Sequence, residues 1–453
     1  MLGKDNAFEI MEKAIAASEA DQTQLVLLGK NYSLTRFANS QIHQNAAVVN
    51  STLFIKTIKN KKIGVTSVNH FDESSLKDAV KRATDASTHL KETPGVCRLP
   101  DVCKYEKVNT YYPRTAKINA EEKALIIQDM IGKASPENLT LAGGFFTGTL
   151  ELAVVNSNGL KAYTSETRAD INIVTTGIDT TGYASAASRD VDAIDYNLLI
   201  EEAVESAKSY GSIIDVEPGE YTVLLDEYAV AEMLLYLSLS SFSSEAVEEG
   251  HSFITQFKGQ KIFSDNVNIY DDAYASGTFQ MPFDYEGVPK KRVDFIKKGV
   301  VTGNVTHNTF TGDKHLEESS GHAVLPISGH SASIPMHVFM GPGDKKPDEM
   351  KESIKKGLLI KRFHYLTLIH PLKTILSGMT RDGVFLVENG VIKSRVHDLR
   401  FTQSIIDVLK NIRAMSEKRK QVWFRDFRID FPLSITVPKL LVDNFNFTGK
   451  TSF

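Results

Sequence analysis

The chain has 453 residues, of which 42% are hydrophobic and 24% are charged, and its formal net charge is -4. This composition is that of a globular protein and excludes a disordered chain, while the length exceeds what one hydrophobic core usually supports, so two domains are expected. The acidic balance argues against direct nucleic-acid binding, because that binding depends on clustered Lys and Arg.

The N-terminal segment predicts a surface helix. Phe8, Met11 and Ile15 recur at helical spacing between charged residues, unlike the continuous apolar stretch of a signal peptide. We therefore expect a cytoplasmic protein without a membrane segment. Cys97 and Cys103 do not form a CxxC motif, and we expect both to be reduced thiols.

Strand patterns follow this helix. Residues 24–29 and 51–68 are rich in apolar and β-branched side chains, and the second segment is predicted to fold as a hairpin near Asn60. Asp72 is then placed to cap a helix.

Another helix is predicted to begin at Asn119, because Glu122 completes a capping-box pattern three residues later. Residues 139–174 return to strand patterns. They carry the pair Asn158-Gly159, which suits a type I′ hairpin turn.

The first half ends with a predicted helix over residues 195–210. Leu198, Leu199 and Ala203 are expected on its buried face. The chain then crosses a Pro- and Gly-containing stretch at residues 216–220, where we place a domain boundary.

The predicted fold class is α+β. Residues 1–218 form an N-terminal mixed α/β domain, and residues 219–453 form a largely β C-terminal domain with a few helices. That second half opens with a strand at residues 221–225 and a helix at 226–240, and later contains a hairpin at Asn389-Gly390.

The sequence lacks the common motifs of hydrolytic metal sites. A helix with HExxH or HExxxH places two imidazoles on one face and leaves Glu as a base, but neither motif occurs. The histidines that recur in loose pairs are His315 with His322, His330 with His337, and His364 with His370. Each pair is too widely spaced for one metal ion on a straight helix or strand, so we interpret them as core or surface residues. Convergence from different strands stays open.

Five segments together resemble the TldD/TldE (PmbA) peptidase family, also described as modulators of DNA gyrase. In matching order they are residues 35–45, 151–179, 220–234, 377–392 and 398–412. The resemblance is to the TldE branch.

In this family the TldD subunit resembles a zinc metallopeptidase, whose HExxxH helix follows a VLL strand and whose last ligand is a cysteine near the C-terminus. Here the VLL stretch is residues 223–225, so the first His position falls on Asp226, the Glu on Glu227 and the second His on Ala231. Residues 424–449 contain no cysteine. The resemblance therefore implies no zinc and no catalytic residue in this chain. Glu227 is then a first-turn residue favoured by the helix dipole.

The same resemblance implies partners. We expect a heterodimer with a TldD-like zinc peptidase subunit and peptide substrates, and the formation of a homodimer by the chain alone stays open. Arg381 and Asp382 lie in a loop that looks typical of the TldE branch, so they are candidates for substrate or partner contact, although a surface turn explains them as well.

Two alternatives stay open. One is an active metallopeptidase whose metal site is relocated to the six histidines named above. The other is a homodimeric binding or scaffold protein that acts without a peptidase.

Overall fold

A computed structural model describes residues 1–92, 98–311, 318–326, 332–424 and 433–451. Within these residues the chain forms two sheets with helices packed around them, which confirms the predicted α+β class.

The first sheet is antiparallel and has the strand order β3-β2-β1-β4-β5-β6. Its strands are β1 (Gln22–Ala38), β2 (Gln41–Lys59), β3 (Lys62–Val68), β4 (Thr140–Asn156), β5 (Lys161–Thr176) and β6 (Thr181–Ser188). The helices of this half are α1 (Lys4–Ala16), α2 (Glu73–Thr88), α3 (Pro113–Lys117), α4 (Ala120–Ala134) and α5 (Tyr196–Ser206).

Residues 23–29 of strand β1 are buried on both faces, so the apolar residues there run continuously instead of alternating. Leu25 and Leu27 pack in the cluster that includes α1 and α2. Val26 and Leu28, on the opposite face, pack against residues of the second half such as Phe283. The first sheet is therefore a middle layer between its own helices and the second half of the chain.

Two predicted helix starts are confirmed by their caps. The Asp72 carboxylate accepts a hydrogen bond from the Ser75 backbone N–H, and Asn119 forms a complete capping box with Glu122. Leu198, by contrast, is 61% exposed, so its predicted place on the buried face of α5 is wrong. The buried stripe of α5 runs through Leu199 instead, and Leu198 lies one position around the helix.

The predicted hairpins also form. Asn60 and Lys61 both have a positive φ, of 51° and 61°. Asn389 and Gly390 also have positive φ values in their turn. The hairpin between β4 and β5 forms too, but the type I′ assignment is wrong, because only Gly159 has a positive φ there. Its loop is longer than two residues, since the Asn156 N–H bonds the Leu160 carbonyl.

The second sheet is mixed. Its strands are β7 (Gly219–Leu225), β8 (Ile269–Asp271), β9 (Val293–Lys297), β10 (Val300–Val301), β11 (His337–Met340), β12 (Lys356–His370), β13 (Ile375–Glu388), β14 (Val391–Arg395), β15 (Leu399–Ser404), β16 (Ile412–Phe424) and β17 (Leu433–Lys450). The helices of this half are α6 (Glu227–Ser241), α7 (Ser244–Glu248), α8 (Ile254–Phe257), α9 (Pro347–Glu352) and α10 (Ile405–Lys410).

Part of this sheet closes on itself. Strand β17 pairs with β15, β15 with β13, β13 with β12, β12 with β7, and β7 again with β17. Closure leaves no free edge in this ring of strands, and Phe363, Phe401 and Phe445 stack in its core. Strand β7 is parallel to β12 and antiparallel to β17, so the start of α6 is held by both neighbours.

Side chains of the second half cover the edge of the first sheet at β6. The Tyr228 hydroxyl accepts from the Ser185 N–H at 2.9 Å and lies 3.1 Å from the Ser185 carbonyl, while Arg395 donates to the Thr181 carbonyl at 2.7 Å. The division into domains at residue 218 stays a prediction; it lies between the chain segments that form the two sheets. Among the described residues, no helix is both long and apolar enough to cross a membrane.

Candidate functional site

Strand register brings two lysines to the position where the family resemblance placed the first zinc ligand. Leu225, the last residue of β7, lies opposite Ile360 of β12 and Leu440 of β17. The adjacent residues Lys361 and Lys439 therefore flank Asp226, which follows Leu225 and caps α6 through the Glu227 N–H.

Asp226, Glu227, Lys361 and Lys439 form a compact cluster, which we call the lysine clamp. The Asp226 carboxylate is 2.9 Å from the Lys361 Nζ and 2.6 Å from the Lys439 Nζ. Lys439 also contacts Glu227 Oε2 at 2.7 Å. The side chain of Asp226 is only 3% exposed. Two ammonium groups thus lie against two buried carboxyl groups at the first turn of α6.

The pKa values follow from this arrangement. Burial opposes ionisation of Asp226, but the two ammonium groups outweigh it and hold the pKa of this carboxyl well below its usual range. Burial and the adjacent Asp226 carboxylate raise the pKa of Glu227 to about 8. Burial favours the neutral amine of Lys439, yet the two carboxylates raise its pKa.

The lysine clamp does not fit a zinc ion. A tetrahedral zinc site needs at least three protein donors, and Ala231 offers none. Both oxygens of Asp226 already face ammonium groups, so a divalent cation there would lie against two positive charges.

Four of the six histidines of the alternative metal site lie within the described residues. His322 is buried and its Nε2 lies 3.0 Å from Asp271 Oδ1. His337 is also buried, and its backbone N–H bonds the other oxygen of Asp271 at 2.8 Å. No three His, Cys, Asp or Glu side chains in the described ranges form a group that could hold a metal ion.

The remaining histidines do not join this pair. His364 contacts the ring of Tyr365, and His370 caps a short 3-10 turn through the Lys373 N–H. His315 and His330 lie outside the described residues, so the six-histidine alternative stays untested.

Arg381 and Asp382 lie within strand β13, so the prediction of a loop or surface turn is wrong, and the two residues occupy different environments. Asp382 is 2% exposed and accepts from Arg362 Nε at 2.5 Å. Arg381 is 46% exposed and only reaches 3.9 Å from Asp382. Asp382 therefore positions Arg362, whose guanidinium lies 4.0 Å from the centre of the Tyr183 ring. Whether either residue contacts a substrate or partner stays a prediction.

Arg362 leads to a cavity of about 330 Å³ between the two sheets, which we call the inter-sheet cavity. Its walls come from β5 and β6, from α6, and from β12 and β16. The residues that matter below are Tyr183, Tyr228, Glu232, Arg362 and Trp423. Tyr228 is held in place by Lys420, which donates to its hydroxyl at 2.7 Å and pairs with Glu202.

Glu232 differs from the carboxylates of the lysine clamp. Its Oε2 accepts the Phe363 backbone N–H at 2.9 Å, and in the described part of the chain it has no ion-pair partner. Burial raises the pKa of Glu232 to about 8, although Arg362 and this N–H oppose the shift. Glu232 is thus a carboxyl on the cavity wall that forms no ion pair with any described residue.

The comparisons with known proteins match this architecture. Residues 218–449 match the PmbA/TldA metallopeptidase C-terminal domain, and residues 27–87 match the PmbA/TldA metallopeptidase domain 1. The chain belongs to the PmbA/TldD metallopeptidase family. TldE from Thermococcus kodakarensis has a similar fold, with a TM-score of 0.88 over 97% of this chain and all of the other, at 18% identity.

Further relatives of this PmbA/TldD chain are equally distant in sequence. A Thermotoga maritima protein described as a proposed modulator of a DNA gyrase has a TM-score of 0.85 at 19% identity, covering 98% of this chain and all of the other. A metalloprotease from Methanothermobacter thermautotrophicus is 21% identical over 304 residues, which span 65% of this chain and 66% of that protein.

The sequence interpretation found Asp226 and Glu227 of this PmbA/TldD chain but missed their partners. Lys361 and Lys439 are far apart in sequence and meet only through strand pairing. One signal was available, since Lys439 is a single charge within a run of apolar β-strand residues. Such a lysine needs a buried counter-ion, because an isolated buried charge is costly.

Proposed function

We propose that this chain is a TldE-like subunit of a metallopeptidase complex acting on peptides or small unfolded proteins, and that its TldD-like partner supplies the zinc site. The family assignment supports the peptidase context. The lysine clamp carries the proposal that this chain is not the catalytic subunit.

The chemical argument concerns what the clamp can do. A zinc peptidase lowers the pKa of a bound water and polarises the scissile carbonyl through the metal ion. In the clamp, the same region of α6 is neutralised by Lys361 and Lys439, which cannot coordinate water as a Lewis acid. Glu227, at the position of the family's catalytic Glu, is held by Lys439 at 2.7 Å. The clamp stabilises the first turn of α6 and is not built for peptide hydrolysis.

The edge of the first sheet supports association with another subunit. Strand β3 pairs only with residues 53–59 of β2, so residues 41–52 of β2 have β1 as their one strand neighbour in the described chain. This stretch contains no Lys, Arg, Asp, Glu or Pro, and Val48 and Val49 are 56% and 72% exposed. Free edges are usually protected by such residues, so an uncharged exposed edge suits a partner strand.

Metal analysis tests the proposal most directly. The chain would be purified alone and after co-expression with a TldD-like protein, and both samples assayed for zinc and for cleavage of an unfolded peptide. We expect neither zinc nor cleavage with the chain alone, and one zinc per heterodimer with cleavage. Stoichiometric zinc and cleavage in the chain alone would overturn the proposal.

The edge of β2 has its own test. Val48→Lys combined with Val49→Lys places charges on the exposed stretch and should weaken recovery of the TldD-like partner in a pull-down by about tenfold or more, because a paired strand would bury both charges. The matched control is Val391→Lys, since Val391 is 54% exposed on β14 in the other sheet. Equal recovery of the TldD-like partner with both variants would show that the edge of β2 is not part of the interface.

A further inference from the structure

The inter-sheet cavity contains one acceptor and one donor group that have no hydrogen-bond partner among the described residues. Glu232 uses one carboxylate oxygen for the Phe363 N–H and leaves the other without a donor in the described residues. Arg362 uses only its Nε, for Asp382, so its two terminal amino groups have no acceptor in the same part of the chain.

Both groups are held in place before any ligand arrives. Arg362 is fixed by the buried Asp382 on one side and by the face of Tyr183 at 4.0 Å on the other. Glu232 is fixed by the Phe363 backbone, and Phe363 follows Arg362 on β12. A ligand that satisfies both groups would therefore lose little binding free energy to ordering the protein.

The chemistry of the two groups points to one end of a peptide. The first residue of a peptide carries an ammonium group, which suits a carboxylate that has no ion-pair partner. The same residue carries a carbonyl oxygen, which suits a guanidinium donor. Trp423 and Tyr183 supply an apolar wall for a side chain, and about 330 Å³ is within the size range of small-ligand sites.

We propose that the inter-sheet cavity binds the free amino terminus of a peptide, with the ammonium on Glu232, the first carbonyl oxygen on Arg362, and the first side chain against Trp423. This site lies on a different face of α6 from the lysine clamp. It rests on the proposed function only in taking peptides as the ligand class.

The chain contains a built-in reporter, because Trp423 is its one tryptophan and lies on the cavity wall. The purified chain alone would be titrated with the peptide amide Leu-Ala-Ala-Ala carrying a free amino terminus, and with the same peptide N-acetylated, while tryptophan fluorescence is recorded. We expect saturable binding of the free form and at least about tenfold weaker binding of the acetylated form, since acetylation removes the charge that Glu232 recognises.

Substitutions test whether Glu232 and Arg362 are the groups that recognise the amino terminus. Glu232→Gln keeps an oxygen acceptor for the Phe363 N–H but removes the charge, so the preference for the free amino terminus should disappear. Arg362→Met should weaken both peptide forms. Glu352→Gln, an exposed position on α9, is the matched control and should bind like the unmodified chain.

The pH dependence gives a second readout with a definite sign. Among the described residues, the titratable groups that act on Glu232 are Arg362 from β12, Asp382 from β13, Tyr183 from β6 and Tyr236 from α6. The raised pKa of Glu232 means that it is largely protonated at pH 7. Affinity for the free amino terminus should rise between pH 6 and about 8 as Glu232 ionises, then fall as the peptide amine, with a pKa of about 8, loses its proton. In Glu232→Gln the rising limb should be absent.

Three results would overturn the proposal: no saturable fluorescence change with the free peptide, equal affinity for both peptide forms, or a preference that persists in Glu232→Gln. These outcomes are independent of zinc. The proposed function instead fails on zinc and cleavage in the chain alone, so the two failures are distinguishable.

Discussion

Two regions of the same helix differ most in Asp226 and Glu232, whose pKa values are shifted in opposite directions. At the first turn of α6, Asp226 and Glu227 are matched by two lysines within 2.9 Å. Further along α6, Glu232 faces the inter-sheet cavity with a single backbone N–H and no ion-pair partner among the described residues. Burial opposes ionisation of both Asp226 and Glu232, so the difference lies in the two lysines that neighbouring strands place against Asp226.

This difference separates a structural cluster from a candidate binding site. A buried carboxylate that is fully paired has no remaining affinity for a ligand, and its removal is felt in stability. A carboxyl without a counter-ion costs stability when it ionises, and it gains most from a ligand that brings a positive charge. The comparison therefore predicts that substitutions in the lysine clamp lower the free energy of unfolding. Substitution of Glu232 should instead change the pH dependence of stability and the binding of peptide.

The largest expected effect is that of Lys439→Met. Removing this ammonium leaves the ionised, buried Asp226 with only Lys361 and removes the contact to Glu227, so the free energy of unfolding should fall by about 3 kcal/mol. Urea denaturation followed by circular dichroism measures the change. The matched control is Lys450→Met, because Lys450 pairs with the exposed Glu217 and its loss should not be measurable. Similar losses for both variants would mean that the clamp is an ordinary surface cluster.

The fold was largely predictable because local signals agree with the tertiary structure. The caps at Asp72 and Asn119 and the turn at Asn389 depend on contacts between residues close in sequence, and each is confirmed. The exposure of Leu198 was not predictable in the same way. An apolar residue beside a buried stripe is excluded from the core only by the exact rotation of the helix on its sheet.

The candidate site was predictable only where the family motif gave a position. Asp226 and Glu227 were located by following the VLL strand, but Lys361 and Lys439 depend on which strands pair with β7 and in what register. Closure of β7 between β12 and β17 joins residues more than 130 positions apart in sequence. No spacing rule within a single element contains that information. The same holds for Arg362 and Asp382, which meet across β12 and β13.

The next effect concerns the pH dependence of stability at Glu232. In the unfolded chain a glutamate has a pKa near 4.3, whereas in the folded protein burial raises the pKa of Glu232 to about 8. The folded state therefore retains a proton that the unfolded state has lost between about pH 5 and 8. The free energy of unfolding should fall as pH rises through this window, with a contribution of up to about 1.4 kcal/mol per pH unit from this group.

Glu232→Gln should remove that contribution and make the slope shallower, as measured by urea denaturation at several pH values. Glu227 keeps its own raised pKa in this variant, so some slope in the same direction should remain. Glu352→Gln, on the exposed surface of α9, should leave the slope unchanged. An unchanged slope in Glu232→Gln would show that this carboxyl is solvated like a surface group.

The smallest effect separates the two residues that the family resemblance proposed as a contact pair. Asp382 has a φ of 57°, a left-handed conformation that asparagine also accepts, so Asp382→Asn should keep the backbone. The asparagine would replace a charge-assisted hydrogen bond from Arg362 with one to a neutral acceptor. The free energy of unfolding should therefore fall by about 1 kcal/mol.

Peptide binding distinguishes the roles of these two residues. With Asp382→Asn, Arg362 loses the anion that fixes it on Tyr183, so the free-amino peptide should bind more weakly while the preference over the acetylated form persists through Glu232. Arg381→Gln should change neither binding nor stability, because Arg381 is 46% exposed and 3.9 Å from Asp382. Weaker peptide binding in Arg381→Gln alone would instead make Arg381 the contact residue and would place the bound peptide outside the inter-sheet cavity.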